Sequence, residues 1–156
     1  MIGRILGVDH GDAHTGIAVS DPLGITAQPL RAAHEKDMAR AAQAVADAAK
    51  EMGATRIVVG LPVNMNGKEG PRARRAREFG AMLEQAAGVP VEYWDERLTT
   101  VQAGQALRGR GGGKRKARID VVSAQVMLQS YLDAAARKAK LAEERGTDDG
   151  DGGTGM

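Results

Sequence analysis

The chain of 156 residues contains no cysteine, which excludes a disulfide scaffold, a thiolate zinc site and a cysteine nucleophile together. Histidine is scarce: His10, His14 and His34 are too few for a typical His-rich metal site. A bound metal would therefore sit on carboxylate oxygens and be hard, like Mg2+ or Mn2+. Aromatic residues are 3% of the chain (Phe79, Tyr93, Trp94 and Tyr131), which disfavours a module that stacks nucleobases on exposed rings. No stretch approaches the ~20 apolar residues of a membrane helix, and Met1 to Leu6 carries Arg4 with no long apolar segment resembling an export signal. The expectation is a soluble, cytoplasmic protein with no membrane partner.

What is present is ordinary for a globular domain: 42% hydrophobic and 27% charged residues, in a length that suits one domain. Of 22 Lys/Arg and 20 Asp/Glu, four and five fall from Arg137 onward, leaving 18 basic against 15 acidic residues before it. The basic residues cluster as Arg72, Arg74, Arg75 and Arg77, and as Arg108, Arg110, Lys114, Arg115, Lys116 and Arg118. Such runs hold phosphate backbones electrostatically, or simply solvate a helix face.

Apolar patterning predicts strands over Ile5 to Val8, Thr15 to Val19 and Gly24 to Leu30, joined by short connections as an antiparallel meander. Asp37 caps a helix ending at Gly53, Arg56 to Gly60 is a strand covered on both faces, and Pro71 opens a second helix that Gly88 closes. A fifth strand over Val91 to Trp94 runs into Asp95 and Glu96, a short helix spans Thr99 to about Leu107, and Gly109 to Gly113 is a loop. A last helix carries Ala124, Met127, Leu128 and Tyr131, with Asp120 in its first turn. The composition after it predicts a disordered Gly/Asp-rich tail over 139–156, leaving 1–138 as the folded domain. The order is that of an α/β, ribonuclease H-like architecture: a five-stranded mixed sheet with helices on both faces.

Three acids sit at element ends bordering apolar structure: Asp9, Glu96 and Asp120. Under this topology they meet at one place. Converging carboxylates repel unless cations neutralise them, and two such ions ~4 Å apart can activate water and stabilise a leaving oxygen in phosphodiester hydrolysis. Singly each acid has a plainer role: Asp9 in a turn, Asp120 complementing a helix dipole, Glu96 paired with a cation. The Asp9-His10-Gly11 hairpin also occurs in actin-like ATPases and sugar kinases, but those need two such lobes, and the chain shows one.

Four motifs in order carry a resemblance: Gly7-Val8-Asp9-His10-Gly11 with Gly16-Ile17-Ala18-Val19-Ser20-Asp21; Gly60-Leu61-Pro62 with Asn64-Met65-Asn66-Gly67; Asp95-Glu96-Arg97-Leu98-Thr99-Thr100 with Ala103; and Asp120 with Ser123-Ala124 and Leu128 to Leu132. From about Ile5 to Leu132 the chain resembles the YqgF/RuvX family of pre-16S rRNA nucleases, related in fold to Holliday junction resolvases. The resemblance implies a ribonuclease H-like, Mg2+- or Mn2+-dependent nuclease that matures the 5' end of 16S ribosomal RNA. It places Asp9, Glu96 and Asp120 at the family's catalytic, metal-holding acids, Asp9 bridging both ions. Neighbouring side chains on a strand face opposite ways, so one of Asp95 and Glu96 enters the crevice, and the family pattern favours Glu96. Lys114, Arg115 and Lys116, on a loop before Asp120, would clamp the strand being cut; Asn64, Asn66 and Arg97 would hydrogen-bond phosphate or sugar, or the asparagines hold a turn. His14 stands where the family usually has arginine, which would weaken a phosphate contact there and make it pH-dependent. Alternatives are a junction-resolving DNA endonuclease, which needs a homodimer, and a non-catalytic RNA-binding ribosome-assembly factor; the chain itself is expected as a monomer or homodimer. The expected partner is nucleic acid: precursor rRNA first, branched or single-stranded DNA second.

Overall fold

The computed structural model describes the backbone of residues 3–99 and 113–154 and the side chains of 3–99 and 120–146. The helix expected from Thr99 to Leu107 lies, apart from its first residue, outside the described residues.

The chain opens with three strands, β1 (Arg4–His10), β2 (Thr15–Ser20) and β3 (Ala27–Ala33), paired antiparallel in sequence. β3 begins three residues later than apolar patterning places it. The cause is Asp21, whose carboxylate accepts the amides of Leu23, Ile25 and Thr26 at 3.2, 2.7 and 2.8 Å and so curls the segment into a turn before it can pair. Helix α1 (Met38–Met52) has the expected punctuation: Asp37 accepts the amides of Ala39 and Arg40, and Gly53 ends it at a left-handed φ of 64°. It feeds β4 (Ala54–Leu61), parallel to β1, after which α2 (Pro71–Ala87) leads to β5 (Val91–Asp95), parallel to β4. A single 3-10 turn, Glu96–Leu98, follows. The strand order is β3-β2-β1-β4-β5, a five-stranded mixed sheet.

Helices cover both faces. Alternation along β1 sends Leu6 and Val8 to one side, where with Ile17, Ile57 and Val59 they meet α1 and, through Phe79 and Leu83, α2. Ile5, Ala18 and Val58 face the other side, against Ala124, Met127, Leu128 and Leu132 of α3 (Gly113–Thr154). Ile57, Val58 and Val59 are fully buried, as expected of a strand sandwiched between helix layers.

α3 differs from the expectation at both ends. It begins at Gly113, so the backbone of Lys114, Arg115 and Lys116 is the helix's first turn rather than a loop, and Asp120 stands two turns inside. At the other end the helix continues to Thr154 where composition predicts no element, although every residue from Ala135 to Gly146 is exposed and adds nothing to the core. Among the described residues no helix is long and apolar enough to cross a membrane.

Candidate active site

Asp9 lies next to last in β1, a central strand, so its side chain emerges where the sheet ends and the loops begin. Across one edge it pairs with Gly16 of β2. A Cβ on Gly16 would fall 2.0 Å from the carbonyl oxygen of Asp120 and 2.7 Å from the amide of Val121, so only glycine lets α3 lie this close to the sheet. That contact brings the Asp120 backbone beside Asp9. Across the other edge, the β1–β4 register runs through Val8 and Val59, and the next residue of β4 is Gly60. A Cβ there would meet a Glu96 carboxylate oxygen at 2.8 Å. Two missing side chains thus make room for two acids on either flank of the first.

The carboxyls of Asp9 and Glu96 lie within hydrogen-bonding reach of each other. Burial pushes the Asp9 carboxyl up from its ordinary value to about 7, and the nearby charges of Glu96 and Asp120 push the same way. Burial raises Glu96 as well, while the Arg72 guanidinium pulls both acids back. A hydrogen bond between two carboxyls needs a proton held by one of them, so at neutral pH the pair is a shared-proton unit. Asp120 is within electrostatic range of Asp9. Its place two turns into α3 removes the helix-dipole explanation, since that field is confined to the first turn.

The neighbouring acid is engaged elsewhere. Asp95 caps the 3-10 turn, accepting the Arg97 amide at 2.9 Å, and pairs with the Arg97 guanidinium at 2.6 Å, which holds its carboxyl below the usual range. Glu96 therefore faces the cleft. Arg97 is itself held by Asp95 and passes near Gly67. Asn64 sits in a turn: its amide donates to the Lys68 carbonyl, its carbonyl accepts from Gly67, and the Asn66 side chain accepts from Lys68. The side chains of Lys114, Arg115 and Lys116 lie outside the described residues. His14 sets its Nδ1 2.7 Å from that of His34.

The cleft is about 350 Å³ and is lined by Asp9, His10, Gly11, Asp12, Pro62, Pro71, Arg72, Arg75, Ala76 and Glu96. Two of these groups escape the sequence reading. The His10 ring stacks on Phe79 at 4.0 Å and 6°, its Nδ1 lies 3.1 Å from the Thr15 hydroxyl, and burial followed by the Arg75 charge lowers its pKa, favouring the neutral imidazole. Arg72 and Arg75 come from the Arg cluster on α2, which the sequence leaves as either a phosphate-holding run or a solvated helix face. Pro71 as first helical residue, with arginines three apart and Ala76 buried beside them, is the pattern that marks this face as the cleft wall.

Among the described residues no three His, Asp or Glu side chains are already gathered into a cation shell. The donor chemistry nonetheless fits a hard divalent ion. Two partly buried carboxyls lie close enough to share a proton that a cation would displace, a third is close enough to feel the charge of Asp9, and glycines leave space between them.

Comparisons with known proteins agree with this arrangement. A family model described as "RuvX: Holliday junction resolvase" matches residues 3–134. A Heliobacterium modesticaldum protein named "Putative pre-16S rRNA nuclease" is 42% identical over 146 residues, covering 92% of this chain and 98% of its own. An Anaeromyxobacter sp. (strain K) protein of the same name is 45% identical over 135 residues, covering 85% and 98%. Among solved structures, T. thermophilus RuvC in complex with Holliday junction substrate superposes with a TM-score of 0.58 at 14% identity, covering 85% of this chain and 96% of that one. A second Thermus thermophilus RuvC structure gives 0.55 over the same coverage. The fold is the ribonuclease H-like architecture of RuvC, as the element order implies.

Proposed function

The chain belongs to the RuvX family, described as Holliday junction resolvase, and from that premise we propose that it is a divalent-cation-dependent nuclease that hydrolyses phosphodiester bonds in precursor 16S ribosomal RNA. One observation carries the hydrolytic part: the closely paired, partly buried Asp9 and Glu96 carboxyls, with Asp120 in electrostatic range of Asp9, opening onto a cleft. Stability alone does not explain it, because burying mutually repelling carboxyls costs free energy. The names of relatives at 42% and 45% identity support the ribosomal substrate.

In this reading Asp9, Glu96 and Asp120 would hold the Mg2+ or Mn2+, with Asp9 shared between the positions that Glu96 and Asp120 would each serve. The bound cation supplies an activated water and neutralises charge on the leaving oxygen. Asp9 and Glu96 give up their shared proton as they take on that role. The stacked, neutral His10 keeps the cleft floor rigid. Arg97, Asn64 and, from the first turn of α3, Lys114, Arg115 and Lys116 position the nucleic-acid backbone. A precursor rRNA substrate places the protein in the cytoplasm.

Matched single-stranded RNA, DNA and four-way-junction substrates, incubated with Mn2+ and either wild type or Asp9→Asn, test this. Mn2+-dependent RNA cleavage that Asp9→Asn abolishes is expected. Preferential junction cleavage by a dimer would replace the ribosomal substrate with DNA, and binding without cleavage of any substrate would leave an assembly factor.

A further inference from the structure

Opposite the acids, the cleft has a second wall of opposite charge. α2 begins at Pro71, and its N-terminal residue Gly70 offers no side chain to cap the first amides. Arg72 and Arg75, three residues apart and hence on one helix face, both line the cleft with Asp9 and Glu96. Arg72 makes no hydrogen bond or ion pair to any described residue, yet its charge reaches both acids. Among the described residues Arg75 pairs with Asp12 alone, at 3.1 Å, and the Asp12 side chain is 91% exposed. A solvated carboxylate is a weak hold on a guanidinium.

A cleft with carboxylates on one wall and guanidiniums on the other is mismatched to a simple anion or a simple cation. It matches a phosphodiester whose reacting side faces the acids and whose remaining anionic oxygen needs neutralising from across the gap. Guanidinium forks are shaped for phosphate oxygens, and a helix N-terminus adds partial positive charge and free amides to the same point.

Resting on the nuclease reading above, we propose that Arg72 and Arg75 in the first turn of α2 form a phosphate-binding wall for the nucleic-acid backbone opposite Asp9 and Glu96, and that Asp12 occupies Arg75 until the phosphate displaces it. Asp12 is thus a built-in competitor that mimics the ligand's charge. It favours polyanions, which contact both arginines at once, over a lone phosphate, which gains too little to displace it.

The test measures fluorescence anisotropy of a short fluorescein-labelled single-stranded RNA with the full chain carrying Asp9→Asn, which keeps the RNA intact. Adding Arg72→Gln or Arg75→Gln is expected to weaken binding and to lower the slope of log affinity against log salt by about 0.7 each. Adding Asp12→Asn is expected to tighten binding by up to about fivefold, the reach of an exposed ion pair, and to do nothing once Arg75→Gln is present. A gain in affinity cannot arise from misfolding. Unchanged slopes in both arginine variants, or an Asp12→Asn effect that survives loss of Arg75, would overturn the proposal. Inorganic phosphate that displaces the RNA as readily as unlabelled RNA does would reassign the wall to free phosphate. The two readings separate cleanly: a chain that cuts RNA indifferently to these arginines sinks this proposal alone. One that binds through them and never cuts sinks only the nuclease reading.

Discussion

Replacing Asp9 with asparagine should make the cation-free protein more stable, although it removes the residue most central to the site. Asp9 is partly buried, and its carboxyl is raised from 3.8 to about 7 by desolvation first and by Glu96 and Asp120 next. A carboxyl whose folded pKa exceeds its unfolded value binds a proton on folding anywhere between the two. Stability is then greatest below about pH 4 and falls as pH rises through about 7. A displacement of about three units corresponds to roughly 4 kcal/mol of destabilisation at pH 8 relative to pH 4, an upper figure because Asp9 and Glu96 share the proton. Asparagine is neutral at every pH, matches the carboxyl in shape and donates from its amide to Glu96. Asp9→Asn should therefore gain up to about 4 kcal/mol at pH 8, roughly 10 °C in Tm for a chain of this size, and only about 1 kcal/mol at pH 4.5. Urea unfolding in EDTA at the two pH values reads this directly. A variant no more stable than wild type at pH 8, or a difference that does not shrink with acidification, would refute the claim that the acids strain the fold.

Three further outcomes follow from the geometry. Gly16→Ala drives a methyl into the Asp120 backbone and should cost about 1–3 kcal/mol in urea melts while displacing α3, so cleavage falls more than stability; a neutral substitution would contradict the close approach. Tyr131→Phe removes the hydroxyl that donates to Glu92 at 2.5 Å and accepts from Arg56 at 3.1 Å, and should lower Tm by about 2–4 °C with cleavage unchanged. Arg72→Gln withdraws the charge that holds Asp9 and Glu96 down, so the acid limb of the pH–rate profile should move to higher pH; a limb that stays put would place Arg72 too far from the acids to matter.

The frame of the fold is written in local signals. Asp37 and Gly53 bracket α1 and Pro71 and Gly88 bracket α2 because caps are one-residue decisions, and the apolar runs of β1, β2 and β4 stand where buried strands must, with β5 at the sheet edge. β3 is displaced because a single side chain, Asp21, outcompetes strand pairing for three amides, which no apolar count detects. Within the site, Asp9 stands at the strand end where the sequence puts it, while Asp95 is turned away by capping the 3-10 turn and pairing with Arg97 rather than by strand alternation, since β5 ends at Asp95. The family resemblance, rather than spacing, singled out Glu96. Arg72 and Arg75 escaped because a helical wheel divides residues into inside and outside, while a cleft wall is a third kind of surface that exists only once α2 is set against the end of β1. The same holds for Gly16 and Gly60, whose missing side chains acquire meaning only from the α3 backbone and the Glu96 carboxylate that come to fill the space.

The central claim is that these carboxyls tolerate each other by sharing a proton that a divalent cation replaces. Isothermal titration of Mn2+ into wild type and Asp9→Asn at pH 6, repeated in buffers of different ionisation enthalpy, measures cation uptake and proton release together. Saturable binding with release of a proton, abolished by Asp9→Asn, is the predicted result. Absence of binding, or binding that survives the substitution with no proton released, would contradict it.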